Sequence, residues 1–283
     1  MTPEVAQILL SPWMLGLLGL CIGSFLNVVI HRLPQILERG WKLDSAEMLG
    51  VKIDEPPALT LSSPASRCPA CGHKIAWHEN IPLLSWLRLG GRCSACRTRL
   101  SARYPLVELL TAVLFAASAW RFGDQPTTLL WCGFVATLVA LAGIDWDTTL
   151  LPDNLTLPLL WAGLVAAGLG WTIPLKSALW GAVAGYLSLW TVYWIFKKAT
   201  GKEGMGYGDF KLLAALGAWL GVAMVLPIVL GASVLGAVVG IVMKASGALR
   251  EGRYVPFGPF LAGSAIVVMF AGPQRVLGWL GWA

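Results

Sequence analysis

Charge is scarce in this sequence. Only 13% of its 283 residues are Asp, Glu, Lys or Arg, against about a quarter in a soluble domain. That excludes an ordinary solvated globule. The sequence also has no Gly-rich G-x-G-x-x-G fingerprint, so no dinucleotide-type cofactor site can be read from a motif. It has no low-complexity tract and no internal repeat. The leading residues "MTPEVAQ" carry no positive charge before the first apolar run, so that run is not expected to be a cleaved signal peptide. The formal charge of +6 does not by itself suggest nucleic acid, and none is expected as a partner; the lopsided placement of that charge matters more.

What is abundant is apolar: 57% of the chain, with 15 tryptophans, a residue that collects at membrane interfaces. The expected fold is an all-α polytopic membrane protein. A spanning helix needs about 20 apolar residues, and eight candidate runs lie at about 10–31, 104–121, 127–144, 154–171, 176–196, 209–226, 228–243 and 257–279. Pro227 either separates the sixth from the seventh or kinks one long helix. With eight spans, 18 of the 21 Lys and Arg fall on one side: eleven in 32–103, four in 197–211 and three in 244–253. Cationic loops stay in the cytoplasm, so the N-terminus is expected outside and segment 32–103 inside. Three domains follow: a first helix over 1–31, a cytoplasmic insert over 32–103 and a transmembrane domain over 104–283.

The first half of the insert reads as loop with one short amphipathic helix. The second half carries Cys68-x-x-Cys71 and Cys93-x-x-Cys96, with 21 residues between the pairs. Two such pairs are the knuckles of a zinc ribbon, in which four thiolates close a tetrahedron around the metal. A structural zinc site on Cys68, Cys71, Cys93 and Cys96 is therefore expected. His73 and His78 are bystanders in this reading, and Cys21 and Cys132 are small apolar fillers. Gly90 and Gly91 suit either a turn inside the ribbon or the close approach of a ligand.

Acids are costly in or beside a bilayer unless paired, hydrated or working. Glu108 lies in the first turns of the second run. Asp145, Asp147 and Asp153 lie in "GIDWDTTLLPDNLTLP", and Asp209 lies in "GMGYGDFK". Asp44, Asp54 and Asp124 are read as solvated loop acids. Asp145 ends a run heading inward and Asp209 begins one heading outward, so both stand at the cytoplasmic edge. Two carboxyls at one depth suit aspartic proteolysis: one takes a proton from water, and the other donates to the carbonyl oxygen that gains charge. Helix ends assign the anion to Asp209 and the proton to Asp145. Gly206 and Gly208 leave a strip against which an extended substrate backbone could lie. The plainer readings are an N-cap for Asp153 and a flexible loop before a capping Asp209.

These motifs resemble the type IV prepilin peptidase family. "GYGDFK" is similar to the G-x-G-D signature of membrane aspartyl proteases, and "IDWDTTLLPD" to its partner stretch. "GSFLNVVIHRLP", the four-cysteine segment through "ARYPLVELL", and "PFGPFLAG" are similar to further family motifs in the same order. By that resemblance Pro256, Phe257, Gly258 and Pro259 border the active site; the plainer reading is a helix-entry turn. The resemblance implies that Asp145 and Asp209 are the catalytic pair. It implies a substrate, a prepilin or pseudopilin precursor of type IV pili or type II secretion with a short basic leader ending in Gly. Cleavage follows that Gly at the cytoplasmic face of a bacterial inner membrane. The new N-terminal residue is then N-methylated from S-adenosylmethionine, and the retained four-cysteine insert implies that this second activity is kept. Gly91, two residues before the third cysteine, is implied in methylation. The rivals are a peptidase without methyl transfer and a transporter using the aspartates as proton or cation sites. A transporter would place its acids near the bilayer midplane.

Overall fold

The structure is a computed structural model, and it describes residues 3–53, 58–247 and 255–282. Asp54, Arg250 and Arg253 therefore lie outside the described residues. The described chain is helical, with two isolated β-bridges, Arg67 to Lys74 and Arg92 to Arg99. In chain order the helices are α1 (Pro3–Leu9), α2 (Pro12–Leu49), α3 (Leu84–Arg88), α4 (Arg103–Phe122), α5 (Thr128–Thr148), α6 (Asp153–Gly168), α7 (Leu175–Thr200), α8 (Tyr207–Leu220), α9 (Val222–Ala245), α10 (Gly258–Ala271) and α11 (Pro273–Trp279).

Each of the eight expected runs becomes helix, but the span count differs. Among the described residues, five helices are long and apolar enough to cross a membrane: α2, α4, α5, α7 and α9. A sixth is reached if α10 and α11, which meet at a 109° bend, count as one broken span. With 16 and 14 residues, α6 and α8 are too short. The sixth and seventh runs divide at Gly221, whose φ is +89°, and not at Pro227. Pro227 lies inside α9, where its fixed φ is compatible with helix and only one backbone bond is lost. The insert departs too. Residues 32–49 are not loop but the continuation of α2, which at 1.5 Å per residue is about 57 Å long. It ends at Gly50, which takes φ +64°.

The chain divides into two compact units, Met1–Ala140 and Leu141–Ala283. In the first, α2 packs on α4 through small residues. A Cβ at Gly23 would stand 2.7 Å from the Cα of Glu108, so only glycine permits this approach. In the second, α8 is the central helix, packed by α6, α7, α9 and α10. Every described residue from Leu212 to Leu220 is buried, which is why α8 is apolar on all sides yet short. Its Gly217 meets Gly181 of α7 backbone to backbone. Trp219 donates its indole N–H to the Leu159 carbonyl of α6, at 2.8 Å.

Candidate active site

The second unit brings Asp145 and Asp209 together. Asp145 stands in the last turn of α5. The helix stops at Thr149, a residue with φ +55°, and Leu150 to Pro152 turn the chain into α6. Asp209 is the third residue of α8. Gly206 caps that helix, and its N–H donates to Asp209 Oδ2 at 3.2 Å. Both acids are buried, with 4% of Asp145 and 7% of Asp209 exposed. They are close enough for the charge of Asp145 to act on Asp209. The other carboxyl oxygen of Asp209, Oδ1, is buried without a hydrogen-bond partner.

A third segment completes the site. The N–H of Gly258, the first residue of α10, donates to Asp145 Oδ2 at 2.9 Å. A Cβ on Gly258 would lie 2.6 Å from that same oxygen. The helix-end argument that separates the two acids therefore fails. Asp145 does end α5, but it also faces the N-terminus of α10, so both carboxyls accept from a helix start. Leu151 wedges the three segments. A Cβ on Gly208 would stand 2.6 Å from Leu151 Cβ, and one on Gly258 would stand 3.1 Å from Leu151 Cδ2. Gly208 thus makes room for Leu151, whereas a Cβ on Gly206 meets nothing nearer than Asp209 Oδ2 at 3.9 Å.

The neighbouring acids take other places. Asp153 is not the cap of α6, since Pro152 occupies that position with no side-chain cap bond. Instead both oxygens of Asp153 accept from Lys211 Nζ at 2.7 Å, fastening α6 to α8 two residues beyond Asp209. Asp147 is exposed. A further network was missed from the sequence. Buried Tyr193 donates its hydroxyl to Glu203 Oε1 at 3.1 Å, and Lys197 Nζ reaches both. The Tyr193 ring packs on Tyr207 and Phe210, at 5.3 and 5.6 Å, so α7 grips the glycine loop on either side of Gly208 and Asp209. Only the aromatic spacing on α7 could have hinted at this.

The first unit gathers the four cysteines. Their Sγ atoms all lie within 4.8 Å of one another, with Cys68–Cys96 at 3.8 Å and Cys71–Cys93 at 4.0 Å. A tetrahedron of thiolates with 2.3 Å bonds to zinc has sulfurs about 3.8 Å apart, so the cluster fits the metal. The two knuckles are built alike. Cys68 N–H bonds to His73 O and Cys93 N–H to Thr98 O, each at 2.9 Å, and Gly72 and Arg97 each take positive φ after the second cysteine. His73 stands outside the cluster, 3.3 Å from Glu79. The Ser94 hydroxyl, the Ala76 N–H and His73 hold the Glu79 carboxyl at about 2, below its ordinary value. Gly91 lies under the Trp86 indole: its φ is +67°, and a Cβ there would meet Trp86 at 2.9 Å. Glu108, buried, accepts the Leu83 N–H at 2.8 Å.

Comparison with known proteins bears on both units. Residues 17–122 match the bacterial peptidase A24 N-terminal domain, and residues 132–241 match the type IV leader peptidase family. A prepilin leader peptidase/N-methyltransferase of Pseudomonas putida is 51% identical over 258 residues, covering 91% of this chain and 89% of its own. The enzyme of the same description from Pseudomonas aeruginosa is 49% identical over 269 residues, covering 94% and 92%. That from Aeromonas hydrophila is 52% identical, with 89% of each chain covered. The chain belongs to the type IV leader peptidase family. No solved structure matches it. The stretch matched to the leader peptidase family contains Asp145, Leu151, Gly206 and Asp209. The N-terminal match contains the four cysteines and Glu108. Gly258 lies beyond both, so its contact with Asp145 is a finding of the structure alone.

Proposed function

We propose that this protein is an aspartic endopeptidase of a bacterial inner membrane. It removes the basic leader from prepilin or pseudopilin precursors and then N-methylates the new N-terminal residue. The observation that carries the first activity is the meeting of Asp145 and Asp209. Each has one oxygen fixed by a glycine N–H. In cleavage, the ionised carboxyl of the pair takes a proton from water as its oxygen attacks the peptide carbonyl. The protonated carboxyl donates to the carbonyl oxygen, and the tetrahedral adduct collapses with proton return to the leaving amine. Like charges so close share one proton. The unpartnered Oδ1 of Asp209 is a place for that proton or the water. Gly206, open above the site, is proposed to receive the substrate backbone. Gly208, filled by Leu151, supports it by closing the packing behind.

Placement disfavours a transporter, because both acids stand at helix ends and not in mid-helix. The excess of cations between residues 32 and 103 supports a cytoplasmic insert and an outward N-terminus. Zinc on Cys68, Cys71, Cys93 and Cys96 would hold the two knuckles together, a structural service. The methyl group would come from S-adenosylmethionine. The family descriptions support that second activity, as does the retained cluster. The Trp86 contact gives Gly91 a packing reason to be glycine, so Gly91 is proposed to shape the insert as well as serve methylation.

The test uses the purified protein, a synthetic precursor and labelled S-adenosylmethionine, with Asp145→Asn and Asp209→Asn in parallel. Leader removal should vanish in both variants while methylation of an already cleaved product survives. Persistent cleavage by either variant would refute the assignment.

A further inference from the structure

The insert carries an anomaly on α3. Leu84 and Leu87, three residues apart on one face, are 64% and 66% exposed. The opposite face is engaged. Ser85 is buried, donating to His78 O and accepting the Ile81 N–H, and the Trp86 ring lies against Gly91. Together they form a small apolar patch on a helix of five residues.

Where α3 is fixed tells what covers it. Glu108 is the sixth residue of α4, a helix apolar enough to span a membrane. Its carboxyl holds the Leu83 N–H that begins α3. At 1.5 Å per residue, α3 is tied about 8 Å along α4 from its start. At that level α4 itself exposes Leu106, Leu109 and Leu110. The surrounding stretch is cationic between two acids, Glu79 and Glu108, that bound it. From Asn80 to Val107 there are five arginines, Arg88, Arg92, Arg97, Arg99 and Arg103, and no acid. Arg88 stands in the last turn of α3.

We infer that α3 is an interfacial anchor: Leu84 and Leu87 insert into the acyl boundary of an anionic bilayer, with Arg88 at the headgroups. Apolar side chains below and cations above are the pattern of a helix lying in the interface plane. Glu108 sets its depth, which gives this buried carboxylate a task outside the peptidase site. The four-cysteine cluster is thereby held close to the membrane.

The experiment places a benzophenone amino acid at Leu84 or, separately, at Leu87 of the full-length protein in nanodiscs. One set contains phosphatidylcholine alone and the other includes phosphatidylglycerol. After illumination, adducts are identified by mass spectrometry, and leader cleavage confirms that each variant is folded. Lipid adducts are expected at both positions, about fivefold more with phosphatidylglycerol, the factor of about one added interfacial cation. Adducts only to this chain or to an added precursor would overturn the anchor, as would no lipid adduct. Hydrogen exchange of the unsubstituted protein is a second readout. Amides of residues 81–90 should exchange more slowly in nanodiscs with phosphatidylglycerol than with phosphatidylcholine alone, and equal rates would contradict the proposal.

Discussion

Gly258 shows what a single residue does at this site. Its amide holds Asp145 Oδ2, and a methyl group there would stand 2.6 Å from that oxygen, too close for both to stay in place. Gly258→Ala should leave a folded protein whose acids no longer face each other correctly. A displacement near 1 Å at reacting groups costs about a hundredfold, so kcat should fall by about that factor. Gly206 makes the contrast, because an alanine fits there at an ordinary φ of −84°. Gly206→Ala should therefore raise KM with kcat nearly unchanged, since its methyl would meet substrate and not protein. Steady-state kinetics on the two variants separates the roles; similar kcat losses in both would mean that Gly206 is structural. Asp145 and Asp209 were singled out in the sequence by their depth beside apolar runs, but a loop before a capping Asp209 was as plain a reading, and the family resemblance decided for the pair. Gly258 was half legible: the resemblance set its loop beside the active site or left it a helix-entry turn, and nothing in the sequence named its partner 113 positions away.

At the scale of elements, the apolar runs announced their helices but not their lengths. Composition cannot distinguish α8, apolar because protein surrounds it, from α9, apolar and facing outward along much of its length. That is why eight runs yield five helices of spanning length. Residues 32–49 misled for the opposite reason. Their charges suit a helix that continues past the membrane as well as they suit a loop, and Pro34 does not break it. The cysteine spacing was more informative, since it specifies a local geometry that needs no knowledge of the rest of the fold. Stripping zinc with a chelator should open the knuckles. Limited proteolysis should then cut between residues 67 and 99 at least about tenfold faster, because the segment has little core of its own. Helices of the second unit should remain protected. Unchanged cleavage rates after verified metal loss would show that the thiols do not need the ion.

For the whole molecule, the division of labour runs along the chain. The first unit carries the cysteine cluster, Glu108 and α3, and the second carries both aspartates, the glycine loop and the start of α10. Everything proposed for leader removal depends on carboxyls 64 positions apart in sequence acting as one group. The direct measurement is kcat/KM for leader cleavage by Asp145→Asn, Asp209→Asn and the double variant. If the acids share a proton, each single change should cost at least about a thousandfold, and the double change no more than either. A double variant whose loss is the product of two modest single losses would contradict a shared site.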